Sequence, residues 1–308
     1  MKRRTLAAVA VAGIAAASLA GCASGGGAGE SPTATAEALL TALADGNVEQ
    51  VQVLTGMEAG DPMLALLPQA TEKISEIEVL TADPENLDEI AEVDLDVAYT
   101  LGGERHEGSV RVKKEGEEGS ESWIASAPTA TVQTKAKSSF SVGDAEPSSS
   151  WTLLPGVYPV ASSATFVKLE SDSVTVAAEA SGTAPAIPVV LDEEAFLPAA
   201  QAAVEEALAT CLADFDPNRT TPECKGSYAD IHRNGSRTTV TLQGEVPKLA
   251  VALASKNGDQ LPTVNLLADG PVTMVESGAS NVTRTVDFDV AVVLNADGSS
   301  FASIKITD

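Results

Sequence analysis

Side chains that commonly carry enzyme chemistry are scarce in this sequence. Its 308 residues include two histidines, His106 and His232, and three cysteines. Neither histidine stands near a glycine-flanked serine, so no serine–histidine–acid arrangement is indicated. The sequence therefore predicts no catalytic residue, no metal site and no cofactor. If the protein were a hydrolase after all, His232 with the nearby Asp230 would be the candidate base.

Basic residues are also few, and this excludes whole classes of partner. The chain has 19 lysines and arginines against 44 aspartates and glutamates. Lys2, Arg3 and Arg4 leave 16 basic residues and a net charge of −28 in the rest of the chain. Nucleic acids and anionic lipid headgroups need basic patches, so we expect neither as a partner. The acidic charge either keeps the protein soluble or recognises a cationic ligand.

Aromatic residues are rare, and no apolar stretch is long enough for an ordinary membrane-spanning helix, which takes about 20 residues. Aromatics make up 4% of the chain, so aliphatic side chains and alanine must fill its cores. Hydrophobic residues nevertheless reach 44%, which argues against a disordered chain. The 287 residues after position 21 suggest about two domains.

The first 22 residues have the pattern of an exported protein. Three basic residues precede an uncharged, alanine-rich core from Leu6 to Ala20, as in a secretory signal peptide. The core ends in Leu19-Ala20-Gly21-Cys22. These four residues resemble the lipobox of bacterial lipoproteins, and the resemblance implies cleavage after residue 21 and lipidation of the Cys22 sulfur, with palmitate as an acyl group. A retained helix and a plain signal peptide are the alternatives.

Residues 22–32 are small and polar and include Gly25-Gly26-Gly27, which is typical of a flexible tether. We therefore expect a protein held by a lipid anchor at the extracytoplasmic face of the cell membrane.

The other two cysteines form an even pair in a compartment where disulfides persist. The sequence predicts a disulfide between Cys211 and Cys224, which would stabilise the fold by about 3 kcal/mol in the chain-entropy model. A metal site is the alternative, and only His232 lies close enough in sequence to assist.

The segment 33–134 begins with helices and continues as strands. Ser31-Pro32, Asn47 and Asp61-Pro62 are helix starts, and the third helix carries apolar residues as far as Ile74. Alternating apolar residues then predict strands around residues 77–81, 93–101, 110–112 and 123–127, with Gly102-Gly103 as a turn. Residues 129–134 are expected to extend this sheet.

Three parts of this segment, taken in order, carry a family resemblance: residues 36–47, Tyr99 to Gly103, and the pair Trp123-Ile124. The segment resembles the nuclear transport factor 2-like, cystatin-like fold, as found in bacterial lipoproteins and in the accessory domains of some penicillin-binding proteins. The resemblance implies a curved sheet wrapped around helices, forming a cone with one open mouth. Some members of the family are enzymes with Asp, His or Tyr inside the cone, but this segment has only His106.

Residues 135–150 are rich in serine and lysine and are expected to be a linker, with a short strand at Phe140–Val142 as the alternative.

A second α+β domain is predicted over residues 151–308. It has a long amphipathic helix from about residue 196 to 212, with Pro198 in its first turn or bending it, and a final antiparallel sheet. One strand is predicted over 282–294, followed by a turn at Asn295 to Gly298. The proline-glycine turn at 154–158 and the cysteine pair look similar to actinobacterial envelope proteins of unknown role.

Pairs of acidic residues are the remaining candidates for a catalytic or calcium-binding site. Asp94 with Asp96, and Asp287 with Asp289, alternate with apolar residues and are predicted to lie on the solvated faces of strands. The loop at Asn295 to Ser299 has too few ligands for calcium.

The expected architecture is α+β, with two domains that each pack an antiparallel curved sheet against helices. We expect a lipid-anchored, non-enzymatic module that binds an envelope protein of unknown identity. The alternative is a small-ligand carrier that uses the cone of the first domain, and a hydrolase ranks third.

Overall fold

The computed structural model describes residues 31–116, 121–136, 138–177, 186–213, 239–254, 263–277, 282–287 and 289–307. Within these ranges the chain is mixed α/β, with four α-helices and with every strand pairing antiparallel. The prediction of a mixed, mostly antiparallel fold is confirmed.

Three N-terminal helices begin where the sequence predicts: α1 at Pro32–Asp45, α2 at Val48–Thr55 and α3 at Pro62–Leu66. The side chains of Ser31, Asn47 and Asp61 each accept a hydrogen bond from a backbone N–H in the first turn. The third helix is shorter than predicted. It ends at Leu66 and continues as one 3-10 turn, because Pro68 has no N–H with which to extend an α-helix.

A four-stranded sheet follows with its strands in chain order: β1 at Ser75–Val79, β2 at Glu92–Leu101, β3 at Glu104–Glu115 and β4 at Ser122–Ala125. The tight turn Gly102-Gly103 sets the register between β2 and β3, in which Leu95 faces Val110. Helix α1 crosses the inner face of this sheet, and the two elements share one hydrophobic cluster.

Seven short strands make up the middle of the chain: β5 at Ala130–Gln133, β6 at Phe140–Val142, β7 at Ser150–Leu153, β8 at Gly156–Ser162, β9 at Val167–Leu169, β10 at Ser173–Val176 and β11 at Val189–Leu191. They pair as β5 with β7, β9 with β11, and β6 and β10 on either side of β8. The prediction that residues 129–134 extend the first sheet is wrong, since β5 pairs with β7 instead.

The segment 135–150, expected as a linker, is built into this middle layer. The short strand predicted as the alternative is present as β6, which pairs with β8. Phe140 and Val142 are fully buried, because they point to the same side of the strand and into the central cluster. A segment that is polar in overall composition thus contributes two core side chains.

The C-terminal part contains helix α4 at Glu193–Ala213 and seven strands: β12 at Thr239–Leu242, β13 at Leu249–Ala254, β14 at Thr263–Ala268, β15 at Val272–Ser277, β16 at Val282–Val286, β17 at Asp289–Leu294 and β18 at Phe301–Thr307. The strands form two sheets, β12-β15-β16 and β13-β14-β17-β18. Pro198 lies in the second turn of α4 rather than in the first.

These two sheets are successive halves of one bent meander. Gln243 N–H donates to the Thr273 carbonyl, and Asp269 N–H to the Lys248 carbonyl, so that pairing continues across the bend. Gly244 and Gly270 adopt φ of 96° and 124° there, which favours glycine. The strand predicted over 282–294 is therefore two strands, β16 and β17, which belong to different sheets.

Three hydrophobic clusters fill the described parts of the chain, and they do not follow the predicted domain limits. The N-terminal cluster lies between α1 and the first sheet, and the C-terminal cluster lies between α4 and the bent meander. The middle cluster includes Leu66 and Ala70 from before position 134, whereas Leu154 belongs to the N-terminal cluster.

Candidate functional site

Most of the predicted site residues lie outside the described residues. These are Leu19, Ala20, Gly21 and Cys22 of the lipobox, Cys224 of the disulfide, and His232. Cys211 lies in the last turn of α4. The anchor and the disulfide therefore stay predictions.

The interior of the N-terminal unit is where the resemblance implies an open cone. Helix α1 instead fills the space under the sheet with Leu39, Leu40 and Leu43, which are fully buried. Buried leucines from α2, the 3-10 turn and β2 complete the packing: Leu54, Leu67, Leu95 and Leu101. Interiors packed in this way hold few voids larger than a water molecule.

His106 is the one histidine in the described residues, and it has a structural environment. It lies on β3 directly opposite Tyr99 of β2, and the two rings stack with centroids 5.9 Å apart. Its Nε2 lies 3.3 Å from the Leu101 carbonyl oxygen. A carbonyl only accepts hydrogen bonds, so Nε2 carries the proton in this contact. His106 thus braces the hairpin at Gly102-Gly103.

The outer face of the first sheet is charged and internally paired. Arg111 bonds Asp94 at 2.8 Å and lies 3.2 Å from Glu92, and Arg105 lies 3.0 Å from Glu78. The hydrogen bond from Arg111 holds the pKa of the Asp94 carboxyl below its usual value. Such exposed pairs stabilise by about 0–1 kcal/mol each. The predicted solvated face is confirmed for Asp94 and Asp96, which are both exposed.

An aspartate that sequence reasoning missed holds the start of α1. Asp83 Oδ1 accepts hydrogen bonds from the backbone N–H of Thr33 at 2.8 Å and from its hydroxyl at 2.6 Å. Burial acts to raise the pKa of Asp83, but hydrogen bonds from Thr33 and Ser31 outweigh it and leave the pKa below its usual value. The first helix, where the predicted tether ends, is thereby fixed to the loop between β1 and β2.

A cleft of about 380 Å³ lies where β8 and β9 meet the start of α4. Its apolar wall includes Val160 and Val167, and its polar rim includes Lys168, Asp172 and Asp192. Lys168 Nζ lies 2.8 Å from Asp192 Oδ1, and this hydrogen bond is the main reason that the pKa of Asp192 is lowered. Asp192 also accepts a bond from Ala195 N–H at the first turn of α4. The rim is thus largely occupied by its own ion pair.

A second depression, of about 730 Å³, runs along α1 and α2. Ala34, Ala38 and Ala42 form its floor, and Glu37 and Asp45 stand on its rim. Its lining also includes Thr41, Asn47 and Gln50, so it offers an open surface that is polar and acidic.

Among the residues that the structure describes, no group of three or more His, Cys, Asp or Glu side chains is arranged to hold a metal ion. No helix in those ranges is long and apolar enough to cross a membrane.

Comparison with known proteins found no matching family, no matching curated protein and no matching solved structure. Function therefore has to be argued from the chain itself.

Proposed function

We propose that this protein is a lipid-anchored lipoprotein of the cell envelope, whose globular part binds another envelope protein and catalyses no reaction. The observation that carries the proposal is the run Leu19-Ala20-Gly21-Cys22 at the end of a signal-like core. A flexible tether after Cys22 gives the globular part freedom to reach a partner near the membrane.

We further propose that the globular part has two α+β units, the first with a nuclear transport factor 2-like fold. Both units have a helix on the inner face of an antiparallel meander, α1 in one and α4 in the other. This shared arrangement supports the proposal. The middle layer, with its own cluster, connects the two units.

Binding through surfaces is favoured over transport of a ligand inside the first unit. The space that a carrier would need there is occupied by buried leucines of α1 and β2. If the protein does carry a small ligand, the cleft beside Lys168 and Asp192 is the better candidate, because its volume falls at the lower end of the usual range for ligand pockets. A hydrolase that uses His232 ranks third.

The anchor is tested by the variant Cys22→Ala in cells, followed by separation of membrane and soluble fractions. We expect the variant to leave the membrane fraction, or to keep an uncleaved signal, while Cys211→Ala stays in the membrane as the matched cysteine control. A Cys22→Ala protein that is processed and retained like the wild type would contradict lipid anchoring.

The binding role is tested by crosslinking the anchored protein in cells and identifying the captured proteins by mass spectrometry. We expect one recurrent envelope protein that is absent when a soluble Cys22→Ala form is used. Repeated capture of no protein would shift the weight to the small-ligand alternative, which extraction of bound molecules from the purified protein would examine.

A further inference from the structure

The first sheet, β1-β2-β3-β4, and the C-terminal sheet, β13-β14-β17-β18, differ in the charge of their outer faces. The outer face of the first sheet carries three cations, Arg105, Arg111 and Lys113, and each is ion-paired with a neighbouring carboxylate. The sheet β13-β14-β17-β18 has a nearly uncharged outer face. We call it the C-terminal face, and its described members are Ala250, Thr263, Asn265, Leu267, Asp289, Ala291, Val293, Ser303 and Lys305.

The register shows that these side chains share one side of the sheet. Val264, Leu266, Val290 and Val292 alternate with them and belong to the C-terminal hydrophobic cluster on the other side. Leu267 is 52% exposed, which makes it the most exposed large hydrophobic residue in the described ranges. Leu267 lies near the end of β14, between Ala250 and Asp289 on the neighbouring strands, so the apolar part of this face is small.

The C-terminal face carries two exposed charges, Asp289 and Lys305. Lys305 faces Ala291 across the strand pair, and Asp289 faces Thr307, so the two charged residues are diagonal neighbours. In the part of the chain that the structure describes, neither takes part in an ion pair. The cations of the first sheet, in contrast, all have internal partners.

We propose that the C-terminal face is the contact between two copies of this chain. Two-fold symmetry places each contact in the interface twice, so Lys305 of one copy meets Asp289 of the other in two equivalent ion pairs. Leu267 of each copy is buried between the sheets. A chain with so large a negative charge meets less repulsion through this face than through the acidic outer face of the first sheet.

The size of the face sets the expected strength of the dimer. Four strands of about five residues cover on the order of 300 Å² in projection. Stable interfaces bury about 800 Å² per partner. We therefore expect a weak, reversible dimer, which is best detected by crosslinking in cells.

The test uses the full chain in cells, with a photo-crosslinking amino acid at Asn265, which is exposed beside Leu267. We expect a crosslinked species of two copies, twice the 31.4 kDa chain before processing. The matched control carries the same amino acid at Val53, a 49% exposed position on α2, and should give no dimer.

Charge-reversal variants distinguish this contact from non-specific hydrophobic association. Asp289→Lys or Lys305→Asp alone should lower the dimer yield about three- to tenfold, because two ion pairs become repulsive. The double variant should restore the yield, and Leu267→Asp should abolish it.

A crosslink from position 265 to a different protein, or no crosslink, would overturn the proposal. So would a dimer yield that Leu267→Asp leaves unchanged in a variant whose circular dichroism matches the wild type. The dimer and the proposed anchoring are tested by different variants, Leu267→Asp and Cys22→Ala, so either proposal can fail without the other.

Discussion

Single side chains tie the N-terminal unit to the middle layer. Gln69, in the 3-10 turn after α3, accepts a hydrogen bond through Oε1 from the backbone N–H of Asp144 at 2.8 Å. This bond joins the first helical region to the turn after β6, which is 75 residues away in sequence. Gly143 makes the approach possible, since its φ of 54° and its missing side chain leave room for the Gln69 amide.

We expect Gly143→Ala to lower the free energy of unfolding by about 1–3 kcal/mol, because a Cβ would collide with the Gln69 amide and strain the backbone. Gly103→Ala is the matched control. Gly103 also has a positive φ, of 77°, but no atom lies within 4 Å of its added Cβ, so backbone strain alone should cost about 1 kcal/mol. Urea unfolding of the two variants checks this. Equal losses would show that Gln69 moves aside freely.

Three aspartates predict how stability depends on pH. Asp83 has a lowered pKa because hydrogen bonds from Thr33 and Ser31 outweigh its burial, and Asp94 and Asp192 have lowered pKa values because Arg111 and Lys168 donate to them. A carboxyl whose pKa is lower in the folded state binds protons more readily when unfolded. The contribution to stability is therefore complete above the ordinary pKa of 3.8 and is lost as the pH falls through the folded values.

We expect the urea midpoint to stay level from about pH 6 to about pH 5 and to fall by about pH 3. Asp83→Asn should make this fall shallower, because an amide keeps an acceptor for Thr33 without titrating. A midpoint that rises on acidification would contradict the assignment.

At the scale of elements, helix α4 does more than cover the bent meander. Gln201 accepts a hydrogen bond from Leu249 N–H at 3.0 Å and reaches the carbonyl oxygens of Val246 and Pro247 at 3.4 and 3.3 Å. It therefore satisfies the backbone at the start of β13, as a neighbouring strand would. The helix thus closes part of an edge that would otherwise be open to pairing.

We expect Gln201→Ala to destabilise the protein by about 1–3 kcal/mol, because it leaves these partly buried backbone groups without a partner. Glu206→Ala, at an exposed position of the same helix, should change stability by less than about 0.5 kcal/mol. Amide hydrogen exchange at Leu249 gives a local readout. Unchanged exchange there in Gln201→Ala would show that water replaces the side chain without loss.

At the scale of the whole molecule, the middle cluster determines which fragments of the chain can fold on their own. Strand β5 is within the predicted first domain, but its partner β7 begins at the last residue of the predicted linker and continues into the predicted second domain. Leu154 is fully buried in the N-terminal cluster, and Leu66 is buried in the middle one. The first unit therefore depends on residues from the start of the predicted second domain.

We expect a fragment of residues 31–134 to lack a cooperative unfolding transition, whereas a fragment of residues 31–191 retains one. The shorter piece loses β7 and Leu154 and exposes the apolar side of β5. Near-ultraviolet circular dichroism during thermal unfolding measures this, with limited proteolysis of both fragments as a check. A cooperative 31–134 fragment would restore the domain limit that composition suggests.

The sequence by itself determined the local features. Helix starts at Ser31, Asn47 and Asp61 and the turn at Gly102-Gly103 follow from short-range backbone hydrogen bonding, and the structure has them where they are predicted. Alternating apolar residues likewise located most strands, because side chains on a strand point to opposite faces in turn.

Only the tertiary structure decided which strands share a sheet and which surfaces remain open. Nothing near β5 or β6 in sequence selects β7 or β8 as partner, because pairing depends on which apolar faces meet after the chain has folded. Apolar and polar residues alternate from Val286 to Val290, across the boundary between β16 and β17, so the sequence pattern gave no sign that the segment 282–294 divides between two sheets. The filled interior of the first unit and the neutral C-terminal face likewise exist only once helices and sheets pack, and they direct the functional argument to the surface.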